Sequence, residues 1–228
     1  MILNVTGDTH QLTDTVKLVT HRFTEQSTMT KEDYLIILGD TGFTWKTQDL
    51  NYCLNYFNEK NFTTLFIDGN HEDFYRLNSL PIEEWNGGKV HKVTDSVLHL
   101  LRGQVFEIEG LKIFTMGGAY SIDKELRKPG INWWPQELPN KVEMEEGLIN
   151  LKKHNNKVDY ILTHDAPNKY LDFGYKHDIH TEDTEFKRYL EHIDNTIEFK
   201  HWYFGHHHED IEIDFKHTVV FNKIIKLE

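Results

Sequence analysis

Near its start the chain reads Ile2-Leu3-Asn4-Val5-Thr6-Gly7-Asp8-Thr9-His10, a short apolar run followed at once by a glycine turn with a carboxylate and an imidazole. Two further segments repeat the pattern: the run from Tyr34 to Leu38 ends in Gly39-Asp40, and Leu65 to Ile67 leads to Gly69-Asn70-His71-Glu72. Short continuous apolar runs of this kind predict buried strands. We therefore expect parallel strands whose carboxyl ends bring these polar turns to one crevice.

Helices are expected between the strands, because apolar residues fall at helical spacing from Leu12 to Phe23 and from Leu50 to Phe57. From Lys89 to Met116 the pattern changes to short apolar stretches. These are separated by Arg102-Gly103 and Glu109-Gly110, which predicts antiparallel hairpins. The alternation of strands and helices elsewhere indicates an α/β fold, and we expect residues 1–228 to form a single domain.

The second half of the chain supplies two more polar blocks. One is His164 after the predicted strand Tyr160 to Leu162, and the other is Gly205-His206-His207-His208 after an apolar run. The remaining predictions are a helix from Pro139 to about His154, a surface loop from Leu171 to His180, a helix from Phe186 to Ile193, and closing strands at Ile211 to Ile213 and Val219 to Phe221.

Composition narrows the class of protein. The net charge of -12 disfavours a broad nucleic-acid-binding surface, since binding along a phosphate backbone needs basic side chains. Cys53 is the only cysteine, so no internal disulfide is expected and a reducing, cytoplasmic location is predicted. No apolar run approaches the roughly 20 residues that span a bilayer, and the residues before Gly7 lack a basic secretory leader, so no membrane association is expected.

Oxygen and imidazole ligands dominate the five blocks, and such a mixed set suits a pair of divalent metal ions. Manganese is the first choice, with iron or zinc as alternatives, because magnesium and calcium prefer all-oxygen shells. In an extended segment residues two apart point the same way, so His206 and His208 should face the site together while His207 points elsewhere.

Taken together and in this order, the five blocks resemble those of the calcineurin-like metallophosphoesterase superfamily, from residue 8 to residue 208. The resemblance implies a four-layer αββα sandwich of two mixed sheets flanked by helices, with metals at the strand ends. It implies hydrolysis of a phosphomonoester or phosphodiester by direct attack of a metal-bridging hydroxide, with no covalent enzyme intermediate.

The same resemblance implies roles for individual residues. Asp40 would bridge the two metals, and His71 would act near the leaving group as a catalytic residue. Asn70 and Arg127 would also contact substrate, the latter through its planar guanidinium. The implied metal ligands are Asp8, His10 and His208 for one ion, Asn70, His164 and His206 for the other, and Asp40 for both.

The chain departs from one branch of the superfamily. Serine/threonine phosphoprotein phosphatases place a second aspartate and an arginine where this chain has Phe43 and Thr44. A nucleotide or another small phosphorylated compound is therefore the expected substrate. Phosphoprotein phosphatase and nuclease activities remain alternatives, as does a non-catalytic binding module of the same fold. Oligomeric state, the partner of His71 and the biological pathway stay open.

Overall fold

Two β-sheets packed face to face form the centre of the molecule, in a computed structural model that describes residues 1–170 and 184–228. Within these ranges the α-helices are α1 (Leu50–Asn58), α2 (Phe74–Leu77), α3 (Lys141–Lys153) and α4 (Glu185–Thr196). The strands are β1 (Leu3–Thr6), β2 (Tyr34–Ile37), β3 (Thr63–Phe66), β4 (Ile82–Trp85), β5 (Gly88–Thr94), β6 (Val97–Leu100), β7 (Gln104–Ile108), β8 (Leu111–Met116), β9 (Tyr160–Thr163), β10 (His201–Phe204), β11 (Ile211–Glu212), β12 (His217–Val219) and β13 (Ile224–Lys226).

Both sheets are mixed. The first has 7 strands in the order β13-β1-β2-β3-β6-β5-β4, with parallel pairing from β1 through β2 and β3 to β6. The second has 6 strands in the order β11-β12-β10-β9-β8-β7, with parallel pairing from β12 to β8. Antiparallel strands lie at the edges of each sheet. The predicted parallel strands with polar turns at their carboxyl ends are confirmed.

Alternation along the strands distributes apolar side chains between layers. In β2, Ile36 joins the core shared by the two sheets, whereas Leu35 and Ile37 join the core under α1 and α2. Helices α3 and α4 cover the outer face of the second sheet, through residues such as Leu151 and Leu190. The order of layers is helix, sheet, sheet, helix, so the expected αββα sandwich is confirmed.

The predicted helix from Leu12 to Phe23 is wrong, because the structure has only short 3₁₀ turns at Thr15–Leu18 and Thr24–Ser27. A buried lysine accounts for the difference. Lys17 turns its amine inward and donates hydrogen bonds to the carbonyls of Gly7 and Asp8 at 2.9 and 2.6 Å. In a regular helix the side chain of Lys17 would instead lie on the surface.

One of the two predicted hairpins is also wrong. Glu109-Gly110 does form a hairpin turn between β7 and β8, with φ of 53° and 76°. Arg102-Gly103 does not, since β6 belongs to the first sheet and β7 to the second. Buried Arg102 instead forms an ion pair with Asp68, with its Nη2 atom 2.6 Å from Oδ2, and the chain crosses between the sheets at this point.

Other predicted elements have mixed outcomes. The strands and helices expected around residues 50–58, 141–153, 160–163, 185–196 and 211–212 are present. The closing strand predicted at Val219 to Phe221 lies two residues earlier, as β12 at His217–Val219. Strand β13 was not expected, and it pairs antiparallel with β1 at the edge of the first sheet. The predicted loop from Leu171 to His180 lies outside the described residues.

Replacing Phe66 with alanine should lower the free energy of unfolding by about 3–5 kcal/mol. Phe66 is fully buried beneath α1, and its ring centroid lies 5.2 Å from that of Phe43. Phe215→Ala is the control, because Phe215 is 86% exposed and its loss should cost less than about 0.5 kcal/mol. Urea denaturation followed by circular dichroism measures both, and equal losses would contradict the packing described here.

Candidate metal centre

The five polar blocks meet at one end of the sandwich. Loops after β1, β2 and β3 bring Asp8, Asp40 and Asn70 from the first sheet, and loops after β9 and β10 bring His164 and His206 from the second. Parallel strands carry their following loops to the same edge of a sheet. Because the two sheets are stacked, the two edges face each other and the loops converge.

Seven predicted ligands come together in two neighbouring groups. In each of two triads, one nitrogen or oxygen per residue lies within 4.8 Å of the others: Asp8, His10 and His208 in one, and Asp40, His164 and His206 in the other. Asn70 joins the second group, with its Oδ1 atom 3.1 Å from Nε2 of His164.

Asp40 lies between the two groups. Its Oδ1 atom is 3.6 Å from Nε2 of His164, and its Oδ2 atom is 3.5 Å from Nε2 of His10. Oδ1 also accepts a hydrogen bond from the backbone N–H of His71 at 2.8 Å. One carboxylate therefore presents one oxygen to each group.

The electrostatics of the site favour positive charge. Burial alone would raise the pKa of Asp40, yet His164 and His10 hold it well below its usual value. In return, against the effect of burial, the carboxylates raise the pKa of His10 to about 9 and that of His164 to about 10. His206 differs, because burial and nearby His164 lower its pKa to about 3. A set of two buried carboxylates, an amide oxygen and neutral imidazole nitrogen fits divalent cations.

Glycines beside the ligands leave the space that the ligand side chains occupy. A Cβ atom on Gly69 would lie 2.0 Å from Oδ1 of Asp40, and one on Gly39 would lie 2.2 Å from Nδ1 of His164. On Gly205 it would lie 2.5 Å from Oδ1 of Asp8. Glycine is therefore required at these three positions, because a side chain there would collide with a predicted ligand.

The ligands themselves adopt strained backbone conformations. His10, Asp40, His206 and His208 have φ of 41°, 48°, 65° and 52°, in the left-handed region that non-glycine residues rarely enter. Such strain persists only where surrounding contacts hold it, and it concentrates at functional sites.

Known proteins are similar to this chain in sequence or in fold, although no protein-family model matches it. A lariat debranching enzyme from Schizosaccharomyces pombe is 27% identical over 185 residues, covering 73% of this chain and 37% of that protein. A lariat debranching enzyme from Drosophila pseudoobscura pseudoobscura is 23% identical over 235 residues, covering 89% of this chain and 41% of that protein. A Staphylococcus aureus crystal structure, described as a 5'-nucleotidase in complex with alpha-ketoglutarate, matches with a TM-score of 0.54 and 18% identity, over 99% of this chain and 50% of that one. The chain is thus similar in sequence to these lariat debranching enzymes and similar in fold to the Staphylococcus aureus structure.

The chain spans less than half the length of these curated relatives, at 37% and 41%. The similarity therefore covers only part of each of these relatives. Among residues 1–170 and 184–228, no helix is both long and apolar enough to cross a membrane.

His71, which the superfamily resemblance places near the leaving group, has a partner that the sequence left open. The Nη1 atom of Arg127 lies 3.1 Å from Nδ1 of the imidazole. Arg127 is itself held by Asp123, with distances of 2.6 Å from Nε to Oδ1 and 2.8 Å from Nη2 to Oδ2. Burial lowers the pKa of His71, and Arg127 lowers it further despite Asp40, so the neutral imidazole is favoured.

Phe43 explains why the second aspartate of the phosphoprotein phosphatases has no counterpart here. The side chain is 1% exposed, and its ring packs edge-on against Phe57 and Phe66 at centroid distances of 4.7 and 5.2 Å. This position belongs to the core under α1 and does not reach the ligand groups. The neighbouring Thr44 contacts Glu72, with Oγ1 3.4 Å from Oε2.

His207 points away from both groups, as predicted, but for a different reason. Its Nε2 atom lies 3.6 Å from Oδ1 of the buried Asp165. The block is not an extended strand, since His206 and His208 both have left-handed φ. Two successive tight turns, rather than strand alternation, therefore direct these two side chains inward.

Several supporting residues carried no signal in the sequence. Asp14 contacts Nδ1 of His10 through Oδ2 at 2.7 Å, and the carbonyl of Leu38 lies 2.6 Å from Nδ1 of His164. Contacts of this kind orient the opposite ring nitrogen toward a metal. For Asp14, the spacing of four residues from His10 is a sequence feature that could have suggested this contact.

A cleft of about 600 Å³ opens beside the first ligand group. It is lined by the polar side chains of His10, His71 and Arg127 and by the aromatic side chains of Trp45 and Trp134. Arg127, which the sequence predicts to contact substrate, lines this cleft, and Trp45 was not singled out by the sequence. The remaining lining residues are Lys46, Thr47, Asp73, Gly130, Ile131 and Asn132.

Glu72 should make the stability of the metal-free protein fall as pH rises. Its buried carboxyl accepts hydrogen bonds from the backbone N–H and the hydroxyl of Thr41 at 2.8 and 3.0 Å. Burial, with a contribution from Asp40, raises its pKa from 4.5 to about 8. The folded state then holds a proton that the unfolded state has lost, so this stabilisation is full below pH 4.5 and disappears as pH rises through about 8.

Glu72→Gln keeps the shape and removes the titration. The unfolding free energy of the wild type relative to this variant should decline between pH 5 and 8 by up to about 1.4 kcal/mol per pH unit. Denaturant titrations in the presence of a chelator measure it. Glu83→Gln, at an exposed site, is the control and should show no such trend. Parallel pH profiles for wild type and Glu72→Gln would refute the prediction.

Proposed function

We propose that this chain hydrolyses phosphomonoesters or phosphodiesters with two divalent metal ions, and that a nucleotide or another small phosphorylated compound is its substrate. The observation that carries the proposal is the position of Asp40, with one oxygen 3.6 Å from His164 and the other 3.5 Å from His10. A bridging carboxylate between two imidazole-bearing groups is the arrangement that a two-metal centre requires.

Each group would hold one ion. Asp8, His10 and His208 form the first set, and Asn70, His164 and His206 form the second, with Asp40 shared. The mixture of imidazole nitrogen and oxygen favours manganese, with iron or zinc as alternatives. His208, with a side chain 49% exposed, leaves the first group open toward solvent and substrate.

Two ions in these positions would supply a water-derived nucleophile at neutral pH and neutralise charge on the phosphoryl oxygens. In the reaction the water oxygen forms the new bond to phosphorus, the ester P–O bond breaks, and the leaving oxygen takes up a proton. Arg127 is placed to bind a phosphoryl oxygen through its planar guanidinium. Since the neutral form of His71 is favoured, we assign this residue to hydrogen-bond donation at the departing oxygen.

Alternative activities have less support. Phe43 lies in the hydrophobic core, which argues against the histidine-orienting aspartate of phosphoprotein phosphatases. The net charge of -12 argues against a nuclease that binds long nucleic acid, although the name of the curated relatives makes a phosphodiester one of the esters to test. An intact ligand set argues against a non-catalytic module. We propose that residues 1–228 work as one unit in the cytoplasm, where a lone buried Cys53 stays reduced.

The neighbouring histidines 206 and 207 provide a matched test. The wild type should bind two equivalents of divalent metal and cleave p-nitrophenyl phosphate or its bis ester when manganese is supplied. His206→Asn should lose about one equivalent and at least about 100-fold in kcat/KM, because a ligand is removed. His207→Asn should keep both ions and near wild-type activity, since His207 faces Asp165. Metal analysis by mass spectrometry and initial rates provide the readouts.

The proposal is falsified if the wild type binds no divalent metal and cleaves neither ester. If His207→Asn instead lost a metal while His206→Asn kept both, the activity would stand and the ligand assignment would be wrong.

A further inference from the structure

The cleft beside the first ligand group has one wall unlike the metal site. Its lining combines the polar side chains of His10, His71 and Arg127 with the apolar side chains of Trp45, Ile131 and Trp134. The apolar wall comes from two distant parts of the chain, the loop after β2 and the segment after β8. A substrate whose phosphate reached the ligand groups would therefore place the rest of its structure against aromatic and aliphatic side chains.

Trp45 is held in position at this wall. Its indole N–H donates a hydrogen bond to the carbonyl of His71, and its ring centroid lies 6.4 Å from that of His10. The side chain remains partly exposed, whereas Trp134 is 5% exposed and packs into the core below. A flat, anchored and accessible aromatic face is suited to stacking against a planar ring.

The dimensions and charge of the cleft select among planar ligands. A volume of about 600 Å³ lies within the range of small-molecule sites and accommodates one nucleoside. Lys46 at the rim lies 3.5 Å from the carboxylate of Asp73. This ion pair reduces the attraction of the rim for the further phosphates of a long polyanion.

We propose that this cleft binds the base of a nucleoside monophosphate, with the ring stacked on Trp45 and flanked by Ile131, and with the phosphate directed to Arg127 and to cations held by the two ligand groups. The inference rests on the proposed function and names its substrate class. It makes Trp45 a determinant of specificity and leaves the hydrolytic step to the ligand groups.

Two Trp45 variants separate stacking from anchoring. Trp45→Phe and Trp45→Leu both lose the hydrogen bond to His71, but only the leucine variant loses the aromatic face. The measured quantity is the ratio of kcat/KM for adenosine 5'-monophosphate to kcat/KM for glycerol phosphate, with manganese supplied. Stacking on an aromatic side chain predicts that Trp45→Leu lowers this ratio about 5- to 100-fold, mainly through KM, while Trp45→Phe keeps most of it.

Binding of adenosine, measured by calorimetry, tests the cleft without catalysis and should weaken in Trp45→Leu more than in Trp45→Phe. If the wild type cleaves both esters but Trp45→Leu leaves the ratio and adenosine binding unchanged, the subsite is wrong and the hydrolase stands. Adenosine binding that depends on the Trp45 ring, in a protein that cleaves no ester, would support the subsite and refute the proposed function. A higher kcat/KM for phosphotyrosine than for the nucleotide would overturn the assignment to a nucleoside.

A separate hydrogen-bonded chain concerns the orientation of Asn70. The amide nitrogen of Asn70 donates to Oγ of Ser121 at 2.9 Å. The Ser121 hydroxyl in turn donates to Oε2 of Glu137 at 2.5 Å, and the Ser121 backbone N–H donates to Oε1 at 3.1 Å. Ser121 and Glu137 are 2% and 1% exposed, so water does not substitute for either partner.

The direction of this chain follows from its last member. The two oxygens of Glu137 accept hydrogen bonds from Ser121, one from the hydroxyl and one from the backbone N–H, and the Ser121 hydroxyl oxygen accepts from the Asn70 amide. The Asn70 amide then has its nitrogen turned toward Ser121 and its oxygen toward the second ligand group. We infer that Ser121 and Glu137 are positioning residues that keep the Asn70 oxygen available to a metal, an inference that rests on the proposed centre.

Glu137→Gln tests the direction of the chain. One carboxylate oxygen becomes an amide donor, which must face either the backbone N–H or the hydroxyl of Ser121. Affinity for one of the two metal ions should fall about 10- to 100-fold, as for other groups that orient metal ligands, while affinity for the other ion is retained. Metal titration by calorimetry measures both sites, and Glu145→Gln, on an exposed part of α3, is the control.

Equal weakening of both ions would indicate a general structural defect and would overturn the inference, as would two ions bound at wild-type affinity. Should Glu137→Gln fail to fold, Ser121→Ala removes only the hydroxyl and carries the same expectation for a single ion. A wild type that binds no metal at all would refute the proposed function itself.

Discussion

The carboxylate of Asp40 is the contact on which the rest of the site depends. It lies between imidazoles from two different loops, accepts the backbone N–H of His71 and occupies the space that a side chain on Gly69 would fill. Its own backbone is held at φ 48°. Burial of a charge at this point is offset only because the surrounding histidines become positive or because a cation is bound. The buried charge of Asp40 therefore explains the surrounding histidines. Its close packing explains the glycine at position 69 and is consistent with its strained backbone.

Distances in the centre depend on the sandwich as a whole. Asp40 follows a strand of the first sheet and His164 a strand of the second, so their separation is determined by the core between the sheets. Leu38 and Leu162, immediately before the two blocks, are both fully buried members of that core. Residues far from any ligand therefore hold the two halves of the centre at the correct separation. This is why a layered fold can assemble a site from five short segments.

The convergence of the predicted ligands was predictable from sequence because the signal of each block is local. A buried apolar run followed by glycine and a carboxylate or imidazole marks a strand end, and parallel strands bring their ends together. The 3₁₀ turns after His10 were not predictable from the spacing of apolar residues. Lys17 points inward and donates hydrogen bonds to two backbone carbonyls, and apolar spacing carries no information about such contacts. Likewise, Arg102-Gly103 resembles a hairpin turn locally, and only the sheet order shows that it passes between sheets. The supporting contacts of Trp45, Ser121 and Glu137 join residues 16 to 51 positions apart, and a single sequence carries no trace of such pairs.

The packing of Phe43 sets a limit on how this protein can change. Its ring fills the layer beneath α1, between Phe57 and Phe66. An aspartate there would be a charge without a partner in an apolar layer, which costs several kcal/mol and exceeds much of the stability of a typical domain. A single Phe43→Asp substitution, which would introduce the histidine-orienting carboxylate of the phosphoprotein phosphatases, would therefore destabilise the fold. Substitutions are better tolerated in the lining of the cleft, where side chains face solvent, than in the packed layer beneath α1.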